Sequence, residues 1–178
     1  KSGCGKSTLI KLIAGYYSDF KGNVLYDTDS LSVLDIDKIT ALSSIIHQNV
    51  YMFDESIFDN ICLHEDYSEK ELQSALFDSG LSSFIKQVPN GLEYYVGENG
   101  ANLSGGQKKK VLIAKSLCEQ AHLYVWDEPL NFVDLYSRMQ IEQLIREFSP
   151  TMLLVEHDQA FREAVATKTV QIEGAENT

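Results

Sequence analysis

Cysteine is scarce in this sequence: Cys4, Cys62 and Cys118 are its only three in 178 residues, too few and too scattered for a disulfide framework or a zinc site. A reducing cytoplasm fits that usage. Positive charge is also short, with 15 Lys and Arg against 26 Asp and Glu and a formal net charge of -11. This balance argues against bulk attraction to nucleic acid or to an anionic membrane surface, and DNA is not an expected partner. No apolar run approaches the roughly 18 to 20 residues that a membrane-spanning helix needs, so membrane attachment is expected only through a partner or through sequence outside these residues. Internal repeats and low-complexity segments are lacking too. What remains is an ordinary globular composition, 44% hydrophobic and 23% charged, with enough chain for one sizeable core.

The first residues carry the strongest signal. Lys1-Ser2-Gly3-Cys4-Gly5-Lys6-Ser7-Thr8 matches a phosphate-binding loop, G-x-x-x-x-G-K-[ST], from its second position onward. Its first glycine, and the strand that delivers the chain into the loop, are expected upstream of Lys1. Backbone N–H groups from Gly3 to Ser7 at a helix N-terminus suit a triphosphate, with the Lys6 ammonium on the β- and γ-phosphates and the Ser7 hydroxyl on Mg²⁺. Cys4 reads as a small residue that fits a tight loop.

Beyond the loop, Ser7 to Ala14 reads as a helix closed by Gly15. Gly22 to Asp27 reads as a strand, Asp35 as the cap of a short helix ending at Leu42, and Ser44 to His47 as another strand followed at once by Gln48. From Tyr51 to Asn99 the pattern turns helical, with a capping box at Ser68-Glu69-Lys70-Glu71. Gly97-Glu98-Asn99-Gly100 reads as the loop that returns from this insertion. Ser104 to Glu119 is expected as a helix with Ser104 as N-cap and Gln107 completing its capping box. A strand Leu123–Trp126, a helix Asp134–Phe148, a strand Thr151–Val155, a helix Asp158–Ala166 and a final strand Lys168–Ile172 follow. The alternation predicts an α/β fold with a largely parallel sheet flanked by helices. The basic run Lys108-Lys109-Lys110 would point around such a helix in three directions, so a solvated face is expected rather than an RNA-binding patch.

Three further segments carry chemistry. Leu103-Ser104-Gly105-Gly106-Gln107 is a second glycine-rich helix start, which cannot serve the same phosphates from the same side as the first, so two chains sharing nucleotide are suggested. Asp127-Glu128 ends an apolar strand, placing one carboxylate to hold Mg²⁺ together with Ser7 and the next to polarise an attacking water. His157 follows a strand at the carboxyl edge of the sheet, where open α/β folds bind ligands. The neutral amide of Gln48 sits in an equivalent place and suits Mg²⁺ or a water without adding charge.

In this order the segments resemble an ATP-binding cassette (ABC) ATPase domain. The resemblance makes Lys1 to Thr8 the Walker A motif (Ser2, Gly3, Cys4, Gly5, Lys6, Ser7 and Thr8 on the nucleotide), Gln48 the Q-loop residue, and Ser104, Gly105, Gly106 and Gln107 the signature motif. Tyr124 to Glu128 becomes Walker B with its catalytic glutamate, Asn131 to Asp134 the D-loop, and His157 the switch histidine. It implies Mg-dependent ATP hydrolysis with Glu128, His157, Gln48 and Lys6 as catalytic residues and Ser7, Gln48 and Asp127 at the metal. It implies a P-loop core in residues 1–50 and 101–178, a helical subdomain with its return loop in 51–100, and an N-terminal β-subdomain missing from this chain. It also implies a head-to-tail dimer with a second ABC ATPase domain, two ATP molecules lying between P-loop and signature helix.

The two halves resemble different branches. Gln48 to Ile61, Pro89-Asn90-Gly91 and Val96 to Gly100 are similar to ATPase domains of ABC exporters, which implies a transmembrane domain as partner and a position on the inner face of the cell membrane. Gln107 to Val111, His122 to Asp134 and Val155 to Asp158 look more like the ABC-F branch, soluble proteins that act on the ribosome, some conferring antibiotic resistance. The Ala-Thr-Ser-Ala-Leu-Asp that more often follows the exporters' catalytic Glu is absent, and Trp126 replaces the usual aliphatic residue. A mosaic gene, a chimera or divergence each produces such a pattern. Export across a membrane is the main expectation, because the exporter-like loops are those that contact a membrane domain.

Overall fold

The computed structural model describes residues 5–172, so Lys1, Ser2, Gly3 and Cys4 of the phosphate loop lie outside the described residues. Helix α1, Lys6–Ile13, begins at Gly5, whose φ of 89° is open to glycine but costly for a residue with a Cβ. It ends at Ala14, where Gly15 turns the chain with φ 80°. The strand expected over Gly22–Asp27 contracts to β1, Leu25–Tyr26, paired antiparallel with β2, Asp29–Ser30. Asp35 caps α2, Ile36–Leu42, by accepting from the Asp37 N–H at 3.0 Å. β3, Ser43–Ile46, follows without a break.

Three short helices come next: α3, Ile57–Cys62, α4, Glu69–Asp78, and α5, Ser82–Ile85. The first two start at capping boxes, Ser56 with Asp59 and Ser68 with Glu71, so orphan N–H groups at each start are satisfied locally. Helix α6, Gly105–Cys118, leads to β4, Leu123–Asp127, then α7, Leu135–Phe148, β5, Met152–Val155, and α8, Gln159–Val165. Asp134 and Asp158 cap α7 and α8 through the N–H groups of Ser137 and Phe161.

The sheet is parallel, in the order β3-β4-β5, with Ile45, Val125 and Leu153 in one register row and Ile46, Trp126 and Leu154 in the next. Alternation along β4 sends Trp126 toward α6, where its indole N–H donates to Ser116 Oγ at 2.9 Å, and sends Asp127 to the opposite face, where α1 brings Ser7. The chain is thus an α/β protein with helices on both faces of a parallel sheet. The final strand expected over Lys168–Ile172 is not formed: this segment has no regular secondary structure and lies in no ladder among the described residues. Its alternating sequence supplies a strand-like pattern, but a strand exists only against a neighbour, and Val170 remains 72% exposed.

Two apolar cores share α6. One gathers Met52, Ile57, Ile61, Leu76, Leu81 and Val96 around Val111, Ala114 and Cys118 of that helix; the other gathers Ile46, Trp126, Leu130, Ile141 and Phe161 around its Ile113. A helix buried on so many sides leaves little room for solvated lysines. Lys109 is only 3% exposed and Lys110 9%, which overturns the solvated face expected for Lys108-Lys109-Lys110. Each ammonium instead finds separate partners: Lys108 the carbonyl of Asn99 at 2.7 Å, Lys109 those of His47 and Gln48, and Lys110 that of Gly80 together with the Asp134 carboxylate at 2.6 Å. Burial of a cation is sustained by such multiple acceptors. The signal was in the sequence, since positions four and seven beyond Lys109 are Ile113 and Ser116, which face the sheet.

Candidate functional site

Ser7 comes from the first turn of α1 and Asp127 from the end of β4, and the Ser7 hydroxyl donates to Asp127 Oδ2 at 2.7 Å. These are two hard oxygen donors held side by side on different elements, with Asp127 only 3% exposed. Such a set fits Mg²⁺, which takes one or two protein oxygens and completes its shell with phosphate and water. No cluster of three or more His, Cys, Asp or Glu capable of holding a metal occurs among the described residues. Lys6 opens α1 partly buried, Thr8 lies exposed one residue past Ser7, and a Cβ built on Gly5 would meet nothing within 4 Å.

Glu128 follows Asp127 directly but turns away from the strand with φ 51°, in the left-handed region. For a glutamate preceding a proline this backbone is unfavourable and is held by its surroundings, as strained residues at functional sites commonly are. The surroundings are visible. Its N–H donates to the Val155 carbonyl at 2.9 Å, Gln48 Nε2 donates to Oε2 at 2.9 Å, Asn131 Nδ2 donates to the same oxygen at 2.7 Å, and His157 Nε2 lies 2.9 Å from Oε1. Burial is the largest single influence on the carboxyl and favours its neutral form. The donors Gln48, Asn131 and His157 together outweigh it and hold Glu128 below the usual glutamate range. The carboxylate is therefore ionised at neutral pH.

The structure thus brings Gln48, Glu128 and His157 into one cluster, next along the chain to the Ser7–Asp127 pair. Gln48, expected at the metal as well as in catalysis, makes its bond to Glu128. Two participants were not named from sequence as site residues. Asn131 lay inside a recognised loop, but its bond back to Glu128 requires the left-handed turn at Glu128 and the loop that follows it. Glu156 is buried, and its Oε1 accepts from the N–H groups of His157 at 2.8 Å and Asp158 at 3.3 Å, which orients the backbone that presents the histidine.

The second glycine-rich start is a complete capping box: Ser104 Oγ accepts from the Gln107 N–H at 3.3 Å, and Gln107 Oε1 accepts from the Ser104 N–H at 2.7 Å. Gly105 and Gly106 lie beneath Phe132, and a Cβ on Gly106 would sit 2.3 Å from the Phe132 carbonyl oxygen. Phe132 itself is left-handed, with φ 66°, and 86% exposed. So the loop after Glu128 is pressed against the start of α6, and glycine permits that approach.

Comparison with known proteins follows the same lines. The family model described as ABC transporter matches residues 1–131. The chain is 32% identical over 161 residues to an ATP-dependent lipid A-core flippase of Francisella novicida, covering 88% of this chain and 27% of that protein. It is 32% identical over 160 residues to a protein of the same name from Neisseria meningitidis, covering 88% of this chain and 26% of the other. A solved bacterial Atm1-family ABC exporter with ATP bound is similar in structure, with TM-score 0.86 and 27% identity over 91% of this chain and 29% of that one. The chain spans about a quarter of the length of these relatives. Their names side with the exporter-like half of the sequence rather than with the ABC-F-like half.

Proposed function

Because the chain belongs to the ABC transporter family, we propose that it binds and hydrolyses ATP to drive substrate export across a membrane. The observation that carries this reading is the ring of donors from Gln48, Asn131 and His157 around the ionised Glu128, beside the Ser7–Asp127 pair. With ATP bound, a Mg²⁺ held here would supply charge neutralisation at the phosphate oxygens. Ser7 and Asp127 would hold the metal, Lys6 and the backbone from Gly3 to Ser7 would hold the phosphates, and Glu128 would accept a proton from the attacking water. Gln48 and His157 orient that carboxylate and help to place the γ-phosphate. These assignments are supported by hard oxygen donors on separate elements and by a carboxylate kept charged within hydrogen-bond reach of three side-chain donors.

Ser104, Gly105, Gly106 and Gln107 would face the nucleotide of a second ABC ATPase domain, so two sites form when two copies meet head to tail. Residues 51–100 would form the helical subdomain against which a transmembrane domain docks. No helix among the described residues is long and apolar enough to cross a membrane, so the chain would be peripheral to the inner face of the membrane through that domain. Export is favoured over action on the ribosome by the flippase and exporter relatives.

The reading is tested by phosphate release from the whole protein. Glu128→Gln should lower it by about 100-fold or more while nucleotide still binds, and unchanged release would remove Glu128 from the chemistry.

A further inference from the structure

Among the described residues, Lys109 is a buried cation that lies between the start of α6 and the carboxylate cluster. From the sheet-facing side of α6 its ammonium donates to the carbonyl of His47 at 3.2 Å and to that of Gln48 at 3.1 Å. Both carbonyls lie just past the end of β3, beyond the last ladder pair of Ile46 with Trp126, where the sheet no longer satisfies them. Gln48 is itself solvent-exposed, so its backbone has little packing to hold it. Its side chain nevertheless reaches Glu128 Oε2 at 2.9 Å. A chain of contacts therefore runs from α6 through the Lys109 ammonium to the Gln48 backbone, and through the Gln48 amide to Glu128.

We propose that Lys109 is a positioning residue for ATP hydrolysis, which fixes the backbone of Gln48 so that its amide meets Glu128 and thereby ties the start of α6 to the carboxylate on the same chain. The inference rests on the assignment of Glu128 and Gln48 to the hydrolytic site and goes beyond it by naming the group that holds Gln48. A lysine suits the task because a single ammonium has three donors and satisfies two carbonyls at once, whereas an apolar residue would leave both unpaired. Burial pulls the Lys109 ammonium down from its usual range, and the charges of Asp127, Glu128 and Glu156 push it back toward the charged form. The same helix carries Ser104 to Gln107 at its N-terminus, just over one turn earlier. A displacement of that end is thus conveyed to Gln48 through a rigid element and two hydrogen bonds.

The test is a double-mutant cycle on the whole protein, combining Lys109→Met with Gln48→Ala and reading kcat and KM separately. Each single variant should lower kcat by about 10-fold with KM within about threefold, the loss of one hydrogen bond to a charged group. The double variant should be no slower than the slower single one by more than about twofold, because both remove the same contact. Additive losses, about 100-fold in the double variant, would show that Lys109 acts apart from Gln48 and would overturn the inference. Lys109→Gln, one atom shorter and uncharged, runs through the same cycle with the same expectation, so a folding failure of Lys109→Met leaves the outcome decidable. Failure of the parent reading looks different: there Glu128→Gln would hydrolyse ATP like the unaltered protein.

Discussion

Asn131 Nδ2 lies 2.7 Å from Oε2 of Glu128, the oxygen that Gln48 also reaches at 2.9 Å. One carboxylate oxygen thus takes two amide donors, one from the loop after β4 and one from the end of β3, while the other oxygen faces His157. The carboxylate is oriented from three separate segments, and its negative charge is favoured by every one of them.

Asn131→Ala removes one of these donors without touching the backbone turn. The expected result is a fall in kcat of about 10-fold, the magnitude of one hydrogen bond to a charged group. Because the lost donor favoured the ionised form, the Glu128 carboxyl should titrate higher, and the acid limb of kcat/KM should move to higher pH. A pH–rate profile of the variant checks both; an unmoved acid limb would mean that Asn131 contributes nothing to the charge state of Glu128.

Gly106→Ala and Gly105→Ala separate close approach from ordinary contact. A Cβ at Gly106 would stand 2.3 Å from the Phe132 carbonyl oxygen, whereas one at Gly105 would stand 3.4 Å from the Phe132 ring. Backbone cannot yield as a side-chain ring can, so Gly106→Ala should cost about 1 to 3 kcal/mol. Gly105→Ala should cost clearly less. Equal denaturant midpoints for the two variants would contradict the contact.

Asp134→Asn keeps the cap of α7 but removes the charge that pairs with Lys110, whose side chain is only 11% exposed. Burial is the largest influence on Asp134 and works against its charge, but hydrogen bonds from Lys110 and Ser137 prevail and hold its carboxyl well below the usual aspartate range. A carboxyl depressed on folding adds stability above its unfolded pKa, near 3.9, and loses it as pH falls through the lower folded value. Because the Asp134 side chain is itself 55% exposed and therefore partly screened by solvent, the variant should be less stable by only about 0.5 to 1 kcal/mol at pH 7, with the gap to the unaltered protein narrowing below about pH 4. Thermal unfolding across that range checks the sign, and a gap constant with pH would refute the pairing.

The sequence was most legible where structure is local. Ser68, Ser104, Asp134 and Asp158 start their helices as their side chains dictate, because a cap needs only the next three residues. Segments that need a distant partner read less well. Lys168–Ile172 carries a strand pattern but pairs with nothing, and β1 keeps only the two residues for which β2 offers a ladder.

From the residues alone came the phosphate loop, the paired carboxylates after an apolar strand, the second glycine-rich helix start and the α/β alternation, since each is a short pattern with its own chemical reason. Ser7 and Asp127 were expected at one metal from sequence, and the fold brings them together across 120 residues; tertiary structure alone decided that Gln48 and Asn131 share one oxygen of Glu128 and that Lys109 lies beneath the end of β3. Those meetings depend on sheet register and on α6 lying between two cores. Register and packing are sums over many distant contacts, and no short stretch of sequence contains them.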